Sequence, residues 1–142
     1  MKTFSPRIDS SERKWYVIDL QGATLGRVAV RVADILRGKN KPIFTPNYDN
    51  GDNVIVVNAA GASISGRKME QKKYYRYSGY PGGLRETSLS KMMSSRSAEV
   101  FTLAVKRMLP KNRLGRQVIK KLHVYAGPGH PHQAQKPEKL EL

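Results

Sequence analysis

Hydrophobic positions change their spacing several times along this chain, and each change predicts an element. Trp15, Tyr16, Val17, Ile18 and Leu20 form a run of aromatic and β-branched residues that suits a strand. Gly22 follows as a turn residue and Thr24 as an N-cap. Leu25, Val28, Ala29, Val32, Ile35 and Leu36 then recur at helical spacing, Arg27, Arg31 and Asp34 take the other face, and Gly38 stands where a C-cap is wanted. Beyond a loop marked by Pro42 and Pro46, Val54-Ile55-Val56-Val57-Asn58 is an unbroken apolar run, which predicts a strand covered on both faces and hence a mostly parallel sheet. Strand, helix, strand in this order predicts a right-handed crossover.

The second half is more polar. Residues 62–65 suggest a further short strand, and residues 67–73 a charged connection. Val100, Leu103, Ala104 and Met108 share one face of a helix predicted over Ser97 to Leu109, which Pro110 stops. Leu114, Val118, Ile119 and Leu122 then fall on one side of a second helical segment, with Arg113, Arg116 and Lys120 within roughly 60° on the other. Residues 122–126 alternate like a last strand, and residues 127–142, with three prolines and few apolar positions, read as a tail. The expected organisation is one α/β domain: an extended arm over residues 1–14, a core over 15–126 and the tail.

Composition adds the polarity of the surface. At 142 residues the chain suits a single core, and 26 Lys and Arg against 11 Asp and Glu leave a net charge of +15. The excess is concentrated: residues 1–66 hold nine basic and six acidic residues, residues 67–142 hold seventeen and five. Such a balance points to a polyanionic partner, contacted mainly by the second half. With no cysteine, disulfides, thiolate metal sites and a thiol nucleophile are excluded. No apolar stretch of about 18 residues is present and the first residues lack the run of a signal peptide, so the chain reads as soluble, unprocessed and without membrane contact.

Two stretches carry the candidate chemistry. Residues 72–85 interleave Lys72, Lys73, Arg76 and Arg85 with Tyr74, Tyr75, Tyr77 and Tyr80 and end on Gly82-Gly83. Cations suit phosphates, tyrosine rings suit bases or sugars, and glycine admits close backbone approach, so this reads as a nucleic-acid loop. Around Pro110, Lys111, Arg113 and Arg116 can converge on one phosphate ridge, continued by Lys120. Catalytic signals are weak by comparison. The Gly22 turn before a helix is a geometry that can hold a phosphate, and it supports the alternative of an RNA-acting enzyme, but it lacks the glycine and lysine patterns of known nucleotide loops. Asp49 and Asp52 lack calcium-loop spacing, since Ala60 stands where a glutamate is required. His130 and His132 lack a third convergent ligand, and His123 reads as an ordinary strand residue. Neither a catalytic residue, a metal site nor a cofactor is expected.

Taken in order, Trp15-Tyr16-Val17-Ile18-Asp19, Thr24-Leu25-Gly26-Arg27, Leu36-Arg37-Gly38-Lys39, Asn50-Gly51-Asp52, Val57-Asn58-Ala59, Gly66-Arg67-Lys68, Tyr74-Tyr75, Gly82-Gly83, Met108-Leu109-Pro110-Lys111, Leu114-Gly115-Arg116 and residues 122–127 resemble the large-subunit ribosomal protein thirteen family, in its bacterial or organellar form, over nearly the whole chain. The resemblance implies a small, largely parallel four-stranded sheet flanked by helices, and a non-enzymatic protein of the cytoplasmic or organellar ribosome. The implied partners are large-subunit ribosomal RNA and neighbouring ribosomal proteins, with a role early in subunit assembly and no homo-oligomer. It adds Arg37, Gly38, Lys39, Arg67, Lys68 and Lys121 to the RNA-facing residues, with Lys41 beside them, and agrees on Gly82, Gly83, Lys111 and Arg116. Where the family often carries a histidine or second basic residue between Tyr75 and Gly82, this chain has Arg76, Tyr77 and Tyr80.

Overall fold

A computed structural model of the chain describes residues 12–141, so most of the expected N-terminal arm lies outside the described residues. The chain order is β1 (Trp15–Asp19), α1 (Leu25–Arg37), β2 (Asn53–Val57), the single turn α2 (Lys68–Gln71), β3 (Lys73–Tyr77), β4 (Leu84–Ser88), α3 (Leu89–Met108), α4 (Arg113–Val118), β5 (Leu122–Val124) and β6 (Glu138–Lys139). Four strands form one parallel sheet in the order β5-β2-β1-β6. In register, Val17 stands beside Ile55, and Ile55 beside His123.

The expected strand, helix and parallel strand form as their patterns predict. The apolar stripe of α1 buries Val28, Ala29, Val32, Ile35 and Leu36, and Gly38 ends the helix at a φ of 80°. Ile18 and Leu20 of the first strand segment, Val54 and Val56 of β2, Phe101, Val105 and Leu109 from α3 and its end, and Val118 of α4 join that stripe in the main core. Alternation along the strands sends the other residues to the opposite face, where Ile55 and Val57 are also buried. There Trp15 stacks on His123 and lies 5.3 Å from the His132 ring, so the segment after β5 folds back across that face.

Four expectations need correction. Residues 62–65 make only a single bridge, Ser63 to Thr24, and not a strand. The fourth strand comes from the expected tail: residues 127–137 pass through bends and a 3-10 turn over Gln133–Gln135, then β6 pairs with β1, and Leu140 packs on the main core. Helix α3 starts eight residues earlier than Ser97, at Leu89, with a kink at Arg96 (φ −144°, ψ 53°). Its first part is hidden in a serine-rich stretch in which Ser94 and Ser95 donate back to the Lys91 carbonyl, while Leu89 and Met92 bury against Tyr74 and Val100 in a second, smaller core. Finally, the tyrosine-rich loop is an antiparallel hairpin of β3 and β4. Tyr80-Pro81-Gly82-Gly83 closes it, with the Gly83 amide donating to the Tyr80 carbonyl at 2.9 Å and Gly82 at a φ of 72°. Proline followed by a positive-φ residue is the signature of a type II turn, which explains why glycine stands at 82.

Candidate nucleic-acid interface

Two grooves flank the C-terminal half of α3. The first, of about 380 Å³, lies between α3 and α4 and is lined by Lys106, Arg107, Lys111 and Arg116 over an apolar floor that includes Leu103 and Ile119. The second, of about 470 Å³, lies between α3 and the start of α1 and is lined by Arg27, Lys68, Lys72 and Arg107 over Leu25, Ile64, Val100 and Ala104. Arg107 belongs to both, so the grooves form one basic face. No carboxylate lines either groove among the described residues.

The second groove holds its cations in place. Both the Lys72 ammonium and the Arg107 guanidinium lie 5.5 Å from the centroid of Tyr74, whose ring is almost fully buried. Partial burial, and then repulsion from Arg107 and Lys68, pull the Lys72 pKa below its ordinary value. Burial raises the Tyr74 pKa, against the opposing effect of Arg107.

Of the sequence-predicted residues, Tyr74 is corrected, since its ring is buried in the smaller core and is not free to stack on a base, and the others divide into three sets. Lys68, Lys72, Lys111 and Arg116 line the basic face, and Arg113 and Lys120 are exposed on α4 and just beyond it. Arg76, Arg85, Tyr75 and Gly82 are exposed on the hairpin, where Arg76 stands directly across from Arg85. Gly83 is half-buried in the hairpin turn, Arg67 is exposed at the start of α2, and Arg37 is half-buried with its guanidinium over the Phe44 ring.

The remaining predicted cations are engaged within the protein. Lys39 pairs with Asp34 at 3.7 Å, Lys73 with Glu86 at 2.8 Å, and Lys41 with the fully buried Asp52 at 2.6 Å. The hydrogen bond to Glu86 raises the Lys73 pKa. Lys121 departs furthest from expectation: it is buried, donates to the Leu36 carbonyl at the end of α1, and pairs closely with Asp49. After Val118 the chain tightens into a 3-10 turn over Ile119–Lys121. Residues three apart eclipse in that geometry, so Lys121 falls on the buried side of Val118 instead of the exposed side of Lys120. Burial lowers its pKa, and Asp49 partly restores it.

Sequence reasoning missed Arg27, Lys106 and Arg107 as members of the basic face. Lys106 and Arg107 stand in the last turn of α3, where basic side chains commonly complement the helix dipole, so position alone explained them. The useful signal was their continuity with Lys111.

The enzymatic alternative at the Gly22 turn finds no support in the geometry. The Gly22 amide donates to the Gly61 carbonyl at 3.0 Å, the Ala23 amide to Leu20 at 3.1 Å and the Leu25 amide to Ser63 at 3.0 Å. These donors are committed to the protein and are not free for a phosphate. The three histidines come together as rings, His123 to His132 at 4.6 Å and His130 to His132 at 6.4 Å, with His132 Nε2 and the Tyr125 hydroxyl at 2.8 Å. Among the described residues no group of three or more His, Cys, Asp or Glu is arranged to hold a metal.

Fold and surface together define a class: a small α/β domain that neutralises its buried acids internally and turns a bare basic face outward. Known proteins make the identification narrower. The family profile of Ribosomal protein L13 matches residues 13–131. Large ribosomal subunit protein uL13 of Aquifex aeolicus is 57% identical over 142 residues, covering 100% of this chain and 99% of that protein. The uL13 proteins of Symbiobacterium thermophilum (57% identical, 99% of both chains) and Lachnoclostridium phytofermentans (56%, 100% of this chain and 99% of that one) are similarly close. The chain belongs to the ribosomal protein L13 family.

Proposed function

We propose that this chain is a structural constituent of the large ribosomal subunit that binds ribosomal RNA through the basic face and helps organise it early in subunit assembly. As a member of a ribosomal protein family it is a structural protein and not an enzyme. The observation that carries the RNA reading is the convergence of Lys68, Lys72, Lys106, Arg107, Lys111 and Arg116 on two grooves without a lining carboxylate. Neutralising phosphates there releases their condensed counterions, which supplies affinity. Selectivity comes from the shape of a folded RNA, whose phosphates and 2′-hydroxyls present a particular arrangement to a rigid surface.

Binding of the full-length protein to deproteinised large-subunit rRNA tests this reading. Replacing Lys111, Arg113 and Arg116 by alanine is expected to weaken binding and to reduce the slope of log K against log salt by about one unit per lost phosphate contact. An unchanged slope would remove these residues from the interface.

A further inference from the structure

The groove between α3 and the start of α1 contains more than a phosphate ridge needs. Convex duplex backbone would meet Lys68, Lys72 and Arg107 without filling the apolar floor below them. The floor is formed by side chains of the smaller core, and partly buried Leu25 and Ile64 pack against that core. Lys72 and Arg107 are both held against the Tyr74 ring, so two like charges are kept near each other before any partner arrives. Glu70, on the same turn as Lys68, makes no ion pair among the described residues and does not line the groove. A ligand that fits must bring negative charge and a flat apolar surface together.

We propose that this groove seats one unstacked nucleotide of the bound RNA strand, its phosphate on Lys68, Lys72 and Arg107, its ribose beside Ser63 and its base against Leu25 and Ile64. The proposal rests on the RNA reading above and adds to it a specific subsite. An unstacked nucleotide offers the required pair of features, because its phosphate is anionic and its base faces are apolar. A stacked helix hides those faces.

The experiment has two arms, both on the full-length protein. In the first, amide NMR spectra follow titration with AMP, adenosine and inorganic phosphate. AMP is expected to shift Ser63, Ile64 and Lys72 selectively and to bind about tenfold more tightly than adenosine or phosphate, the order of one base contact. Equal binding of AMP and phosphate would overturn the subsite. In the second, the large-subunit rRNA is probed chemically at single-nucleotide resolution, free and in complex. One base is expected to be protected by the wild-type protein and to become reactive in the complex of K72A/R107A, with the remaining footprint retained. Arg107→Lys keeps the charge, and it is expected to restore the protection in part. If rRNA binds with a full footprint but no base depends on the groove, the subsite fails and the wider reading stands, even if AMP binds as a free nucleotide. If rRNA does not bind at all, both fail.

Discussion

Two groups of charges on this protein obey opposite rules. Beneath the end of α1, Arg13, Lys41, Asp49, Asp52 and Lys121 form a knot in which each carboxylate meets a cation, and Asp52 and Lys121 are buried. On the face around α3 the cations of both grooves meet no lining carboxylate. Both groups are built from lysine and arginine on neighbouring elements, so residue type does not separate them. The difference is that each carboxylate of the knot has its counter-ion within the chain, even though Arg13 Nε and Asp52 Oδ2 find no hydrogen-bond partner among the described residues, whereas no carboxylate of the chain lines the grooves of the face. A basic residue is therefore assigned to structure or to binding by its partner, not by its charge.

The largest effect of a substitution is expected inside the knot. Lys121→Met leaves Asp49 with Arg13 as its one remaining cation and the Leu36 carbonyl without its donor, and breaking a buried pair in this way costs about 3 kcal/mol. Chemical denaturation measures that loss, while the salt slope of rRNA binding by the folded protein is expected to stay at the wild-type value. A reduced slope would move Lys121 to the interface.

A smaller and opposite effect is expected on the hairpin. Arg76 and Arg85 face each other across the strands, and like charges in that position destabilise a ribbon. Arg85→Thr is expected to raise Tm by about 1 °C and at the same time to weaken rRNA binding. A fall in Tm would mean that the pair is neutralised within the chain.

The smallest effect is a pH dependence on the far face of the sheet. Burial, reinforced by His132, holds the His123 pKa below its ordinary value. In the window beneath the ordinary histidine pKa, about 6.5, the unfolded chain binds a proton that the folded chain refuses. Stability is therefore complete above that value, declines as the pH falls through it, and levels off once folded His123 itself protonates. His123→Gln is expected to flatten the decline in melting experiments between about pH 7 and 5.

Much of the fold was legible because periodicity is a record of burial. The period of α1 and the unbroken run of β2 each describe what covers them, and both form as read. The hairpin was obscured because Lys73-Tyr74-Tyr75-Arg76-Tyr77 buries only Tyr74, leaving no apolar alternation to detect. Strand β6 is two exposed residues whose place is set by pairing with β1, a long-range fact with no local pattern. On the basic face, Lys68, Lys72, Lys111 and Arg116 were legible as charge in a basic half. Arg107 was not, because its importance lies in facing two grooves, and Lys121 was misread because a change from α to 3-10 geometry turns it inward.

Partnered and bare cations divide structure from binding, and lysine acetylation of the protein, free and in complex with deproteinised large-subunit rRNA, tests that division. Lys68, Lys72, Lys106 and Lys111 are expected to react when free and to be protected in the complex, and buried Lys121 is expected to be slow in both. If those four lysines remain as reactive in the complex as in the free protein, the basic face is not the RNA interface.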